Sequence, residues 1–373
     1  MNEIASGTFA FVGLLGVALI GALLAERVRI PAAVALVVIG ALVGVIKPFV
    51  LPFSFGPTLL FVFLPPLIFE ASWTLQPAVL RRMARPILAL AVPGVLVTSL
   101  VIAGVMTVAG VLPFDLAFLL GAIVSATDPV AVIAVFRRMN VPIELATLVE
   151  GESLLNDGVA IALFSIALRF ADPTVANPSI VREIAHAVVG VIAAVGIGFV
   201  GAMLMGTVIR FAKSRGAELT ATIVLAYGVY TVAAGLDVSG VFATAAAGIT
   251  LRTISARILT EQEPQEIDRF WDAIAYVFNA VLFLATGLVI QFDRILHEPF
   301  LVLVAIVAVL TSRGVIAYFM LPLFPNIRAQ RGARTTTFVA GIRGGLALAL
   351  ALDLPLTVPH RPEIIDAVFA IVF

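Results

Sequence analysis

Apolar runs of about 17–25 residues recur from one end of this chain to the other, each long enough for a helix to cross a hydrocarbon core of roughly 30 Å. In hydrocarbon every backbone amide and carbonyl must be paired within the structure, which leaves only helices and closed barrels. Barrel strands would alternate apolar and polar residues over segments of about ten, and this sequence does not alternate in that way. Composition agrees. Of the 373 residues 61% are hydrophobic and 12% charged, with a mean hydropathy of +1.15, values foreign to soluble globular chains. The expected fold class is an all-α polytopic membrane protein forming one transmembrane unit over residues 1–373.

Breaks at proline and at arginine clusters predict thirteen helices, at 7–25, 31–47, 57–72, 86–110, 115–136, 145–169, 183–211, 218–235, 238–252, 270–292, 299–321, 335–352 and 361–373. The first run has Glu3 as its only preceding charge and no basic n-region, so it reads as a spanning helix rather than a signal peptide. The last run is still apolar at Phe373, which predicts that the end of that helix and any tail lie beyond it. Loop charge tests the tally, because Lys and Arg concentrate on the cytoplasmic side. Of 23 basic residues, sixteen fall in loops on one side and five on the other. The expectation is a multi-pass protein of the cell membrane with its amino terminus outside, lipid as its surroundings, and the end of the last helix toward the cytoplasm. The remaining two basic residues, Arg313 and Arg343, lie within helices.

Acids lie within helices too. Glu70, Asp128, Glu152 and Asp157 sit in apolar stretches, two of them in SATDPVAVIAVF (125–136) and GESLLNDGVAIALF (151–164). Ionisable groups at such depth are costly and functional by default. Ser153 and Asp157 are four residues apart, as are Glu152 and Asn156, giving two adjacent polar columns on one helical face. A hydroxyl above a carboxylate offers hard oxygen ligands, and one buried carboxylate can hold a proton or an alkali cation but hardly both. Competition for that group is enough to couple two ions. Arg313 needs a buried partner, and Glu152 is the expected one.

Two helices are expected to be broken at mid-depth. Pro129 lacks an amide proton and deprives the Ser125 carbonyl of its helical partner, with Thr127 and Asp128 at the interruption. In the twelfth helix Gly341, Gly344 and Gly345 surround Arg343 and weaken the helix there. Paired interruptions in two halves of a chain are consistent with inverted repeats and point to a transporter site. Asp128 and Arg343 are placed to neutralise opposite ends of the two breaks. Asp128 either caps a half-helix or ligates an ion; Glu70 either ligates or snorkels near Trp73. Glu150 belongs to a helix start, and the acidic run EQEPQEID (261–268) reads as a solvated face.

Other classes fit less well. With no cysteine, disulfides, thiolate metal sites and thiol nucleophiles are excluded, and His186, His297 and His360 fall near expected helix ends. No cofactor and no nucleic-acid partner are expected. An intramembrane aspartyl protease would need a GxGD context that Asp157 lacks, a serine protease would need a histidine at membrane depth, and a channel would want a filter built by an oligomer.

The strings SATDP, GESLLNDG, GIRGGLALAL and LIFEASW resemble the monovalent cation:proton antiporter-1 family, the bacterial sodium/proton antiporters of the NhaP type, over essentially the whole chain. The resemblance implies a homodimer, with crossed, broken fifth and twelfth helices in each protomer. It implies a dimerisation part near 1–80 and 218–292, a core near 86–169 and 299–373, and a linker helix near 183–211. It implies exchange of sodium, and of lithium as well, for protons by alternating access, with Asp157 as the ion-binding and proton-exchanging residue. Ser153, Thr127 (through its carbonyl) and Glu70 are the further sodium ligands, and Asp128 acts near the site. Asn156 before the aspartate implies electroneutral one-for-one exchange. Glu152 with Arg313 matches the family's buried bridge, and Arg343 its arginine in the broken twelfth helix. A potassium/proton exchanger of the same fold is the alternative.

Overall fold

The computed structural model of the chain describes residues 2–28, 30–46, 57–128, 130, 132–133, 136, 141–176, 178–212, 214–258, 263–290, 297–328 and 332–372. Pro129, Glu261 and Phe373, weighed above, lie outside them. The described residues are helical nearly throughout, with no strand among them. In order the helices are α1 (Asn2–Val28), α2 (Ala32–Ile46), α3 (Pro57–Thr74), α4 (Pro77–Ala91), α5 (Pro93–Val108), α6 (Phe114–Ile123), α7 (Ile143–Ala171) and α8 (Ile180–Phe211). They continue as α9 (Arg215–Gly235), α10 (Gly240–Ile258), α11 (Glu263–Val289), α12 (Pro299–Val315), α13 (Pro325–Arg328), α14 (Ala333–Val339), α15 (Gly345–Leu352) and α16 (Arg361–Val372). Between α12 and α13 the backbone passes through a π-helical turn, Ile316–Met320, and a 3-10 turn, Leu321–Leu323.

Proline and capping residues explain most of the boundaries. Pro at the first turn opens α4, α5 and α12, where its missing amide costs nothing. Ser214 caps α9 by accepting from the Ala217 amide. The fourth expected helix, 86–110, is longer than read: helix begins at Pro77, and Pro93 opens α5 after a bend at Val92. Arg81, Arg82 and Arg85 therefore lie on the exposed face of α4, whose other face buries Val79, Met83, Ile87 and Leu90. Among the described residues, six continuous helical stretches, Ile143–Ala171 and Ile180–Phe211 being two of them, are long and apolar enough to cross a membrane. The sides of α8 are correspondingly lipid-like, with Val189, Ile192, Phe199 and Leu204 exposed.

Two groups of helices pack within themselves far more than against each other. One contains α1, α2, α3, α8, α9, α10 and α11; the other contains α4 to α7 with α12, α15 and α16. Small residues make the first group's closest approaches. Gly40 of α2 and Gly287 of α11 sit against each other's backbone, and Gly198 of α8 sits on the Ala243 carbonyl of α10. In the second group, Ile102, Leu119, Ala160, Ala308 and Leu348 share one buried cluster around the broken helices.

Candidate functional site

The first interruption follows α6. Residues 124–128 leave the helix, and helical geometry resumes at Val130. The orphaned Ser125 carbonyl accepts from the Arg343 guanidinium at 3.3 Å. At the other end of the break, Asp128 turns its Oδ1 onto the Val130 amide at 2.9 Å, an acid at the positive end of the resumed helix. The second interruption, 341–344, separates α14 from α15. The two meet directly, since the Asp128 amide donates to the Ile342 carbonyl at 2.8 Å. Arg343 and Asp128 thus both serve the break after α6, rather than one serving each break.

The glycines of the second interruption provide room. A side chain on Gly341 would fall inside the Arg313 guanidinium, and one on Gly344 would meet Asp128, with Oδ2 only 2.8 Å from the Cβ position. Gly345 faces Leu282 of α11 in the same way. Their role is close approach as much as the helix weakening read from sequence.

Helix α7 supplies the rest. The Ser153 hydroxyl donates to the Thr127 carbonyl at 2.6 Å. One turn on, Asn156 Nδ2 donates to the Thr127 hydroxyl at 2.6 Å and to Glu152 Oε1 at 3.1 Å, while Asn156 Oδ1 accepts from the Thr127 amide at 3.4 Å. Glu152 Oε1 also faces Arg313 Nη1 at 3.6 Å, with both side chains buried. The pairing of Glu152 with Arg313 is as expected from sequence, whereas Asn156, read there as the column partner of Glu152 and the neighbour of Asp157, is also the link that locks Thr127 and Glu152 together. The i, i+4 spacing of Glu152 and Asn156 was the available signal.

Asp157 differs from the rest of the set. It lies one turn beyond Ser153 on α7, is partly exposed, and no hydrogen bond or ion pair engages its carboxylate among the described residues. Asp128 and Glu152 are close enough to act on it electrostatically, as Glu152 and Arg313 act on Arg343. Counting Arg313 and Arg343 against Glu152, Asp128 and Asp157, the cluster carries one negative charge, which a single bound proton or monovalent cation cancels. Glu70 stands on α3, half-buried, with its carbonyl accepting from the Thr74 hydroxyl at 3.0 Å. Among the described residues no three of His, Asp and Glu converge on a metal site. A cation here would be held by one carboxylate with neutral oxygens, of which the Ser153 hydroxyl and the Thr127 carbonyl are adjacent. Beside the crossing, a cavity of about 510 Å³ opens between α2, α11, α12 and the 341–345 segment.

Sequence reading missed one cluster away from this site. Trp73 at the end of α3 donates to Asp268 at 2.6 Å, and Arg252 of α10 pairs with the same carboxylate at 2.9 Å while lying over the indole. These side chains fasten α3, α10 and α11 at one end.

Comparison with known proteins bears on the whole chain. The chain is 31% identical over 369 residues to the Na(+)/H(+) antiporter ApNhaP of Aphanothece halophytica, covering 96% of this chain and 69% of that protein. It is 32% identical to the low-affinity Na(+)/H(+) antiporter NhaS1 of Synechocystis, covering 92% of this chain and 66% of that protein. To the Na(+)/H(+) antiporter NhaP of Pseudomonas aeruginosa it is again 32% identical, covering 86% and 78%. The fold matches that of the sodium proton antiporter MjNhaP1 from Methanocaldococcus jannaschii with a TM-score of 0.77 at 21% identity, covering 100% of this chain and 94% of that one. These relatives are secondary transporters, not enzymes. Residues 14–373 match the model of the sodium/hydrogen exchanger transmembrane family, and the chain belongs to that family.

Proposed function

We propose that this protein exchanges sodium for protons across the cell membrane by alternating access, with Asp157 as the group for which the two ions compete. The observation that carries this is the contrast within one cluster. Asp128, Glu152, Arg313 and Arg343 are engaged with protein partners, while the Asp157 carboxylate has none among the described residues and stands one helical turn from Ser153, whose hydroxyl meets the Thr127 carbonyl. Ionised Asp157 takes sodium, or lithium, with Ser153 Oγ and the Thr127 carbonyl completing the shell. The loaded, neutral site moves, the cation leaves, and a proton replaces it for the return. A cluster with one net negative charge is neutral in both loaded forms, which supports one-for-one, electroneutral exchange. No cofactor enters the cycle.

In this reading the second helix group, carrying the crossing and α7, is the moving core. The first group forms the dimerisation part of a homodimer in the lipid bilayer, with α8 as the linker between them. The amino terminus is outside and the end of α16 faces the cytoplasm, following the loop charges. The test is sodium-driven proton movement in proteoliposomes made from the parent protein and from Asp157→Asn. The parent is expected to exchange and the variant, folded to the same size-exclusion profile, to show none. Sodium-driven proton flux through Asp157→Asn at the parent's rate overturns the assignment.

A further inference from the structure

Helix α10 begins beside the middle of α7 and of α8. Gly198, eighteen residues into α8, sits on the Ala243 carbonyl, and a Cβ added to Gly190 would stand 3.8 Å from the Val238 side chain. Gly158, fifteen residues into the 29-residue α7, faces Phe242. Arg169, which pairs with Glu183 of α8 at 3.3 Å, is eleven residues further along α7. At 1.5 Å per residue it lies about 16 Å beyond the Phe242 level, roughly half a hydrocarbon thickness. Back from Phe242, α10 is joined to α9 by the short connection from Leu236 to Ser239, of which Leu236 and Asp237 are exposed.

The ring of Phe242 presses closely on Gly158. A Cβ there would stand 2.7, 2.8 and 3.0 Å from three successive ring atoms, so no side chain larger than hydrogen fits without moving the ring. Phe242 itself is fixed: its amide donates to Ser239 Oγ at 3.4 Å, the cap of α10, and the ring is buried. Leu155 and Val159, flanking Asp157 on α7, pack against the same apolar cluster. The contact therefore joins the two helix groups at the residue next to Asp157, and it is one of few places where α7 touches the first group.

We propose that Phe242 is a gate of the exchange cycle: seated on Gly158, it closes the route from Asp157 to the membrane face above the start of α10, and the core must carry Gly158 off the ring to open it. This deepens the exchange mechanism and rests on it. The gate works by shape alone, which fits a site that must exclude water and ions without binding either. Glycine at 158 is required because the ring must slide across the helix surface.

The chain has no cysteine, so a single introduced thiol reports access without background. Val159→Cys is labelled in intact cells with a membrane-impermeant methanethiosulfonate reagent added outside, in the parent and with Phe242→Ala. Removing the ring is expected to raise the labelling rate by about tenfold or more; an unchanged rate overturns the gate. In proteoliposomes Gly158→Ala is expected to slow sodium-driven proton flux by roughly tenfold, the kinetic weight of an overpacked contact, although alanine favours helix over glycine. Adding Phe242→Ala is expected to restore the flux to within about threefold of the parent. A Gly158→Ala protein as active as the parent, or a double variant no faster than the single, overturns the proposal. Should Gly158→Ala not fold, the labelling arm and the double variant decide. If the parent itself moves no protons in response to sodium, the exchange reading falls, while the labelling rates still judge the gate.

Discussion

Replacing Arg313 by methionine removes one of two buried guanidinium groups and leaves Glu152 behind. The carboxylate keeps the Asn156 amide at 3.1 Å but loses its cation at 3.6 Å, in a place where its side chain is only 8% exposed. Breaking a buried pair from one side costs about 3–5 kcal/mol, because the surviving charge cannot be hydrated. With an unfolding entropy of about 2.1 cal/mol/K per residue, the chain would gain about 0.8 kcal/mol/K, so the melting temperature should fall by about 4–6 °C. Helices that persist in detergent lower that entropy and enlarge the shift. The assay is thermal unfolding in detergent micelles of the parent, Arg313→Met, Glu152→Gln and the double variant. The double variant should recover at least half of the loss, since it buries no charge at this pair. Single variants melting within about a degree of the parent, or a double variant carrying the sum of both losses, would refute a paired, desolvated bridge.

Further outcomes follow from the same geometry. Gly341→Ala forces Arg313 aside and should destabilise the protein by about 1–3 kcal/mol, a loss that Arg313→Met should largely relieve; thermal unfolding of the two single variants and the pair checks this. Asn156→Asp adds a charge beside Asp157 and breaks the donation to Thr127 and Glu152, so slower exchange and a dependence on imposed membrane potential are expected, both read from proton flux with and without valinomycin and potassium. At the end of α7, Asp172 accepts from the Thr174 amide and hydroxyl and from the Thr357 hydroxyl, which hold its carboxyl below the usual carboxylate value. A depressed folded-state pKa contributes stability above the unfolded value of 3.8 and loses it as pH falls through the folded one. The melting difference between the parent and Asp172→Asn should therefore be present at pH 7 and shrink below pH 4; a difference that is constant with pH would remove Asp172 from this role.

Much of this architecture is legible in the residues because the solvent is so demanding. A bilayer accepts few backbone solutions, so runs of apolar residues mark helices, and each of the thirteen expected runs overlaps a described helix. Two of them, 115–136 and 335–352, were legible as broken, the first because proline follows Asp128 and the second because glycines surround Arg343. Pairing of Glu152 with Arg313 was legible for the same reason, since an isolated charge at that depth has few alternatives. What stayed hidden depends on which surfaces meet. That the Ser125 carbonyl is answered by Arg343, two hundred residues away, or that Gly341 makes way for Arg313, follows from packing between distant helices and has no local periodicity. The start of α4 at Pro77 was hidden differently: its arginines read as a loop, although one face of that turn is apolar.

The single bond from the Asp128 amide to the Ile342 carbonyl has a consequence for how such a site is inherited. Both atoms belong to the main chain, so every amino acid except proline at position 128 preserves the link, whatever side chains surround it. Drift in sequence can then alter the walls of the site while its hub stays in register. A fold shared at a TM-score of 0.77 with only 21% identity is what a crossing written in backbone atoms permits. Ion preference, written in side chains, remains free to change around it.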